Sequence, residues 1–319
     1  MESKLKPMEL VVIPVLLALL NLQNWANARP QGSTGRFTNG RTMHDFIVKL
    51  LGFKDYMPPF AESEGKNILN GVNYASGAAG ILDETGQHRG GRIPFNEQIK
   101  NHKTIISRIR SLMRNDSATK SLLSRCIYSV QIGNNDYINN YFKPKLYDTQ
   151  QRYSQREYAT LLVQQLSGQL KSLYDTGARK FAVYGLGLFG CTPYAVSVYG
   201  THGSVCVEKV NMGATLFNNR LKPMLHQLNT NLTDAKFTYL NPSGNPAAFV
   251  TNSSCCKTGA GDGELCVPGS SPCSRPRQYV FWDGLHTTDA WNEIVAKSAY
   301  DSKTPLEAFP FNIHKLARL

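Results

Sequence analysis

Apolar residues along this chain follow two periods in turn. Short runs rich in β-branched and aromatic residues predict strands: "NILNGVNYAS" ending at Ser76, "CIYSVQIG" over 126–133, "KFAVYGLG" over 180–187 and "KFTYLN" over 236–241. Each closes on Gly, Asn or Ser. Between them the period lengthens. "FNEQIKNHKTIISRIRSLM" sets Ile99, Ile106, Ile109 and Met113 on one helical face. "YATLLVQQLSGQLKSLYDTG" does the same with Tyr158, Leu161, Leu162, Leu166, Leu170, Leu173 and Tyr174, and Gly177 is a natural stop. A last helix, "TTDAWNEIVAKSAYD", opens on a Thr-Thr-Asp cap region. Strands alternating with helices predict an α/β fold with a parallel sheet covered on both faces. Functional residues in such sheets lie just beyond the carboxyl ends of the strands.

The amino terminus has a different pattern. Lys4 and Lys6 precede an eleven-residue apolar run, "LVVIPVLLALL", and "ANA" at 26–28 is a small-residue cleavage pattern. This predicts a signal peptide over residues 1–28 and a single domain over 29–319. A membrane anchor is the lesser reading, because the run is too short to span a bilayer comfortably, and no later run approaches the ~18 residues of a membrane helix. No stable membrane insertion is expected.

Export changes the meaning of the cysteines. All seven lie beyond residue 28, and "CCKTGAGDGELCVPGSSPC" lacks the CxxC pairs of a zinc knuckle, so disulfide staples are expected and no metal site. An odd total leaves one cysteine outside the pairs. Sequons at Asn115, Asn231 and Asn252 fit the same compartment. The net charge of +12 is carried by the exported part, since Glu2 and Glu9 cancel Lys4 and Lys6. With no nucleic-acid recognition motif, the charge suits a polyanionic extracellular matrix, or a soluble surface with no charge-specific partner.

Three strand-end segments carry chemistry: "NYASGAAGI", "IGNNDY" and "DGLHTTDAW". Asp283 and His286 are spaced so that a turn can set the carboxylate on one imidazole nitrogen and leave the other as a general base. Alone, that spacing is more often a surface ion pair. Asn135 can offer an amide to an oxyanion, or simply make a turn; Gly77 can offer a backbone N–H, or permit a tight bend. "GLGLFG" at 185–190 matches GxGxxG, but Pro193 follows where a dinucleotide-binding helix should run, and no acidic strand end comes about twenty residues later.

In this order, "TGRFTNGR", "NYASGAAGI", "IGNNDY", "ARKFAVYGLGLFGCTPY", "CCKTG…LC…PC" and "VFWDGLH" closely resemble the plant GDSL esterase/lipase family of the SGNH hydrolase superfamily, from about Thr34 onward. The resemblance implies a flavodoxin-like three-layer fold and a secreted, apoplastic or wall-bound hydrolase of carboxylic esters acting through an acyl-enzyme. His286 would be the base, Asp283 its orienter, and Gly77 and Asn135 oxyanion donors, with no cofactor. Ester substrates in the family include lipids, polyesters and acetylated polysaccharides.

The family's nucleophile lies in a Gly-Asp-Ser-Leu block on the first strand, ahead of "TGRFTNGR". No GDS triplet and no GxSxG elbow occurs in this chain. The first strand is therefore expected to be missing, Cys126 to be the cysteine outside the disulfides, and catalysis to be impaired. Ser33 and Ser76 are poor substitutes, Ser33 because no strand aims it and Ser76 because its role at the turn looks local. The alternative function is a secreted, non-catalytic binder of acyl or wall-polymer ligands.

Overall fold

The computed structural model describes residues 10–14, 35–259 and 263–319. Its central sheet has five strands: β1 (Leu10–Pro14), β2 (Ile127–Gln131), β3 (Lys180–Tyr184), β4 (Lys236–Leu240) and β7 (Ala308–Phe309), in the order β1-β2-β3-β4-β7. The first four are parallel and β7 closes the edge antiparallel. A two-stranded ribbon, β5 (Val250–Ser254) with β6 (Tyr279–Phe281), lies apart.

The period of two sorts side chains between two cores. Tyr128, Val130, Phe181, Val183, Phe237 and Tyr239 point into one, where Phe181 and Phe237 stack at 4.3 Å across neighbouring strands. That core is roofed by α2 (Phe95–Met113), α4 (Gln155–Asp175) and α6 (Glu208–Asn231). Ile127, Ala182, Tyr184 and Leu240 point into the other, against α1 (Met43–Leu50), α7 (Asp289–Asp301) and α8 (Ile313–Arg318). The sheet is buried on both faces, as a parallel sheet requires, and the architecture is the three-layer α/β fold expected.

Two local expectations differ. The run ending at Ser76 is not a strand of the sheet: Gly65–Asn70 coil into a 3₁₀ turn, Gly71 takes a φ of +130°, and only Asn73 pairs, with the segment at Pro58–Phe60. Pro58 and Pro59 have no N–H to extend that ladder. The place beside β2, expected to stand empty, carries β1, in register from Leu10 against Ile127 to Pro14 against Gln131. An open strand edge presents a row of unpaired N–H and C=O groups, and a Leu-Val-Val-Ile run has the β propensity to pair with it. The same run forms the first half of the expected leader's apolar core.

Candidate active site

β6 runs out at Phe281 into the loop that carries the Asp-His pair. The Asp283 side chain, 1% exposed, folds back so that Oδ1 accepts the backbone N–H of Leu285 (2.8 Å) and of His286 (2.6 Å). This Asx turn brings the imidazole onto its own carboxylate, with Nδ1 2.8 Å from Oδ2. The Trp282 N–H donates to the His286 carbonyl at 2.7 Å and closes the loop. Burial on its own would lower the His286 pKa. The Asp283 charge and the bond to it outweigh burial, Glu264 adds a smaller pull, and the pKa stands above 6.5. A local spacing of three residues thus becomes an oriented imidazole with Nε2 directed away from the carboxylate.

The "TGRFTNGR" segment is pinned beside this pair. Asp289, at the start of α7, accepts from the Arg41 N–H (2.7 Å) and guanidinium (3.1 Å), while the Asn39 side-chain oxygen accepts from the Asp289 N–H (2.8 Å). A Cβ on Gly40 would sit 2.3 Å from the Asp289 carboxylate, so only glycine fits there. So anchored, the Phe37 ring stacks on His286 with centroids 4.8 Å apart and planes 20° apart. The same ring lies 3.0 Å from where a Cβ on Gly77 would be. Phe37 is thus the contact between the imidazole and the Gly77 turn, a role with no sequence signal of its own.

The Gly77 turn is in turn held against the end of β2. The buried Asp136 carboxylate accepts from the N–H of Ile81 (2.8 Å), the N–H of Leu82 (3.1 Å) and the Thr85 hydroxyl (2.7 Å). One residue earlier, Asn135 donates from Nδ2 to the Ala79 carbonyl at 2.9 Å, and its Oδ1 accepts from Asn139 at 2.8 Å. Asn139 lies in a π turn, Tyr137–Tyr141, which lets β2 lead into a helical segment while both asparagines face the same side. Arg89 donates to Asn139 at 3.2 Å and pairs with the buried Glu264, which also takes Lys143 at 3.3 Å. The Glu264 carbonyl accepts the Gly284 N–H at 2.8 Å, tying this network to the Asp283 loop. Asp136, Arg89 and Glu264 escaped sequence reasoning because their partners lie dozens of residues away.

His286, Asp283, Gly77 and Asn135 therefore share one locale at the carboxyl ends of β2 and β6. Among the described residues, no hydrogen-bond partner is found for His286 Nε2. Ser33 lies outside the described residues. Ser76 is fully buried, and its hydroxyl accepts from the Ile93 N–H at 2.9 Å, a local role. A Ser–His contact exists elsewhere: Ser129 Oγ lies 3.0 Å from His44 Nε2. Both residues are buried in the core between the sheet and α1, and desolvation takes the His44 pKa to about 3.

Three disulfides brace the loops around the site: Cys191–Cys206, Cys255–Cys273 and Cys256–Cys266. The cysteine-rich segment is thus a stapled loop, as expected, and the buried Cys126 belongs to none of these bridges. "GLGLFG" ends in a 3₁₀ turn, and α5 (Pro193–Tyr199) starts with Pro193 at its first position and Thr192 as its cap.

The sequence model of the GDSL-like Lipase/Acylhydrolase family matches residues 21–299. The chain belongs to this GDSL family. Among similar proteins, the GDSL esterase/lipase At1g29670 of Arabidopsis thaliana is 44% identical over 299 residues, covering 90% of this chain and 82% of the relative. GDSL esterase/lipase 7 of the same plant is 43% identical over 301 residues, with 90% and 82% covered. This GDSL chain has no group of three or more His, Cys, Asp or Glu side chains that could hold a metal, and no helix long and apolar enough to cross a membrane, among its described residues.

Proposed function

We propose that this chain is by family an exported carboxylic ester hydrolase, with His286 as general base, Asp283 as its orienter, and the Gly77 N–H and Asn135 amide as oxyanion donors, and that its catalysis is impaired. In a family member with a serine between base and donors, His286 Nε2 would take the hydroxyl proton as oxygen attacks the ester carbonyl. The negative oxygen would be held by the two donors, and the imidazolium steadied by Asp283. This chain has the base and the donors but not the GDS block, and the Phe37 ring stacks on the imidazole where it meets the Gly77 turn. The absence of a GDS block is the observation that carries the second part of the proposal: hydrolysis is impaired.

Export is supported by the leader pattern, the stapled loops and the exposure of Asn115, Asn231 and Asn252. Cleavage after Ala28 would remove Leu10–Pro14 and leave the edge of β2 to other partners, within a single domain over residues 29–319. The net charge of +12 favours contact with a polyanionic wall.

Hydrolysis of p-nitrophenyl butyrate by purified protein, with labelling by a fluorophosphonate probe, tests the reading. The expected result is no labelled serine and no turnover that depends on His286. Turnover abolished by His286→Ala, together with a labelled serine, would sink the claim of impairment and identify the nucleophile.

A further inference from the structure

One group of cations lies at the amino ends of the strands, away from the candidate site. Arg125 ends α3 (Asp116–Arg125) just before β2, Arg179 and Lys180 open β3, and Lys236 opens β4. Ile127, Lys180 and Lys236 are level with one another in the parallel register, so Lys180 and Lys236 stand on neighbouring strands about 4.8 Å apart, with Arg125 and Arg179 just ahead of β2 and β3. Lys315 and Arg318 join them from α8, because the Lys180 ammonium donates to the Ala317 carbonyl at 3.3 Å.

The acidic side chains at this end, among the described residues, include Asp175 beside Tyr174, Asp234 and Asp301. Asp234 is already engaged by Arg179 at 2.7 Å and by the Tyr174 hydroxyl at 2.6 Å. Asp301 lies 3.7 Å from His314. Lys180, Lys236, Lys315 and Arg318 form no salt bridge among the described residues; Lys236 reaches only the Thr233 carbonyl, at 3.3 Å. Burial above all holds the Lys180 pKa below its ordinary value; Cys126 opposes this and Arg125 adds a smaller push in the same direction as burial. Lys236, Lys315 and Arg318 are exposed. Such a field attracts an anionic chain over several ångströms and weakens with salt.

We infer that this basic end of the sheet is a docking surface for an acidic polysaccharide, a linear sugar polymer with one carboxylate per repeat. Cations spread over two neighbouring strand starts, α3 and α8 suit a polymer that offers charges in sequence. One small anion would meet only one or two of them. β2 (Ile127–Gln131) starts just after Arg125 at this surface and leads toward Asn135 at the far side, so a polymer bound here leaves the His286 locale uncovered. The choice of a wall-type polymer rests on the reading of the chain as exported.

Binding of the purified full chain to polygalacturonate, immobilised and read at 20 mM and 300 mM NaCl, tests the inference (both concentrations being assay conditions, roughly either side of the ionic strength at which the screening length is about 8 Å). Lys236→Glu/Arg318→Glu is expected to weaken binding at least about tenfold at low salt. Lys145→Glu/Lys209→Glu, of equal net charge and with exposed sites elsewhere, is expected to change it far less. Circular dichroism and thermal midpoints check that each variant is folded, and Lys315→Glu serves as a second reversal on the same surface. Absence of binding, equal loss in both double variants, or retention on anionic phospholipid vesicles but not on the polymer would each overturn the inference. Export is scored separately, by recovery of the cleaved chain from the medium, so its failure leaves the binding result readable.

Discussion

Asp136 offers the sharpest test of how the site is held, because its carboxylate joins the Gly77 turn to the end of β2 and its pKa is strongly displaced. It is fully buried, and desolvation pushes its pKa from 3.8 up to about 6 against the pull of its bonds from Thr85, Ile81 and Leu82. The folded state therefore holds its proton more tightly than the unfolded state. Stability from this group is full below pH ~3.8 and is lost as pH rises through ~6. With those two values, the linked change between pH 4 and pH 7 is roughly 2 kcal/mol. Asp136→Asn keeps the shape and one acceptor oxygen but does not titrate, and its amide nitrogen meets a backbone donor, at a cost of about 1–3 kcal/mol. The variant should therefore be most destabilised relative to the parent at pH 4, with the gap closing by roughly 2 kcal/mol at pH 7. Urea unfolding of both proteins at half-unit steps between these limits measures the gap directly, and other carboxylates cancel in the difference. A gap that stays constant, or that widens as pH rises, would refute the argument, since a carboxylate stabilised by its hydrogen bonds more than it is penalised by burial would give the opposite slope.

Three further outcomes follow from the geometry. Asp283→Asn removes the charge that holds the His286 pKa up and leaves burial to lower it, so NMR titration of the ring protons should fall below 6.5; an unmoved titration would show that Asp283 does not control the base. In the parent, the stability that this pair supplies is present at low pH and is lost as pH rises through the raised His286 value. Phe37→Ala should speed carbethoxylation of His286 by diethyl pyrocarbonate and cost about 1–2 kcal/mol, and an unchanged rate would place the ring elsewhere in solution. A chain of residues 29–319 lacks the β1 ladder with β2; at about 0.5–1.5 kcal/mol per hydrogen bond it should lose several kcal/mol against the full chain in thermal unfolding, and equal midpoints would mean that β1 contributes nothing.

Much of this was legible along the chain because it is decided locally. The phase of α2 and α4 follows from apolar spacing, and Phe95–Met113 begins and ends where the pattern does. β2, β3 and β4 lie inside the predicted runs because each is apolar on both faces and stopped by glycine or asparagine. Asp283 and His286 meet through an Asx turn that three residues suffice to build. Features that depend on distant partners were not legible. The run before Ser76 has strand composition, yet Gly71 and the two prolines opposite it keep it out of the sheet.

The sequence by itself determined the layer order, the oriented imidazole, the stapled loop and the lack of a GDS block, since each depends on residue type within a short span. Only the tertiary structure decided which cysteines pair, what lies along β2, and that Phe37 touches both His286 and Gly77. The cysteine pairs close loops of 10 to 18 residues, and the other contacts join surfaces 40 to 250 residues apart, as Asn39–Asp289 and Ile81–Asp136 show. A one-dimensional pattern records which side of an element is apolar, and it does not record what that side will meet.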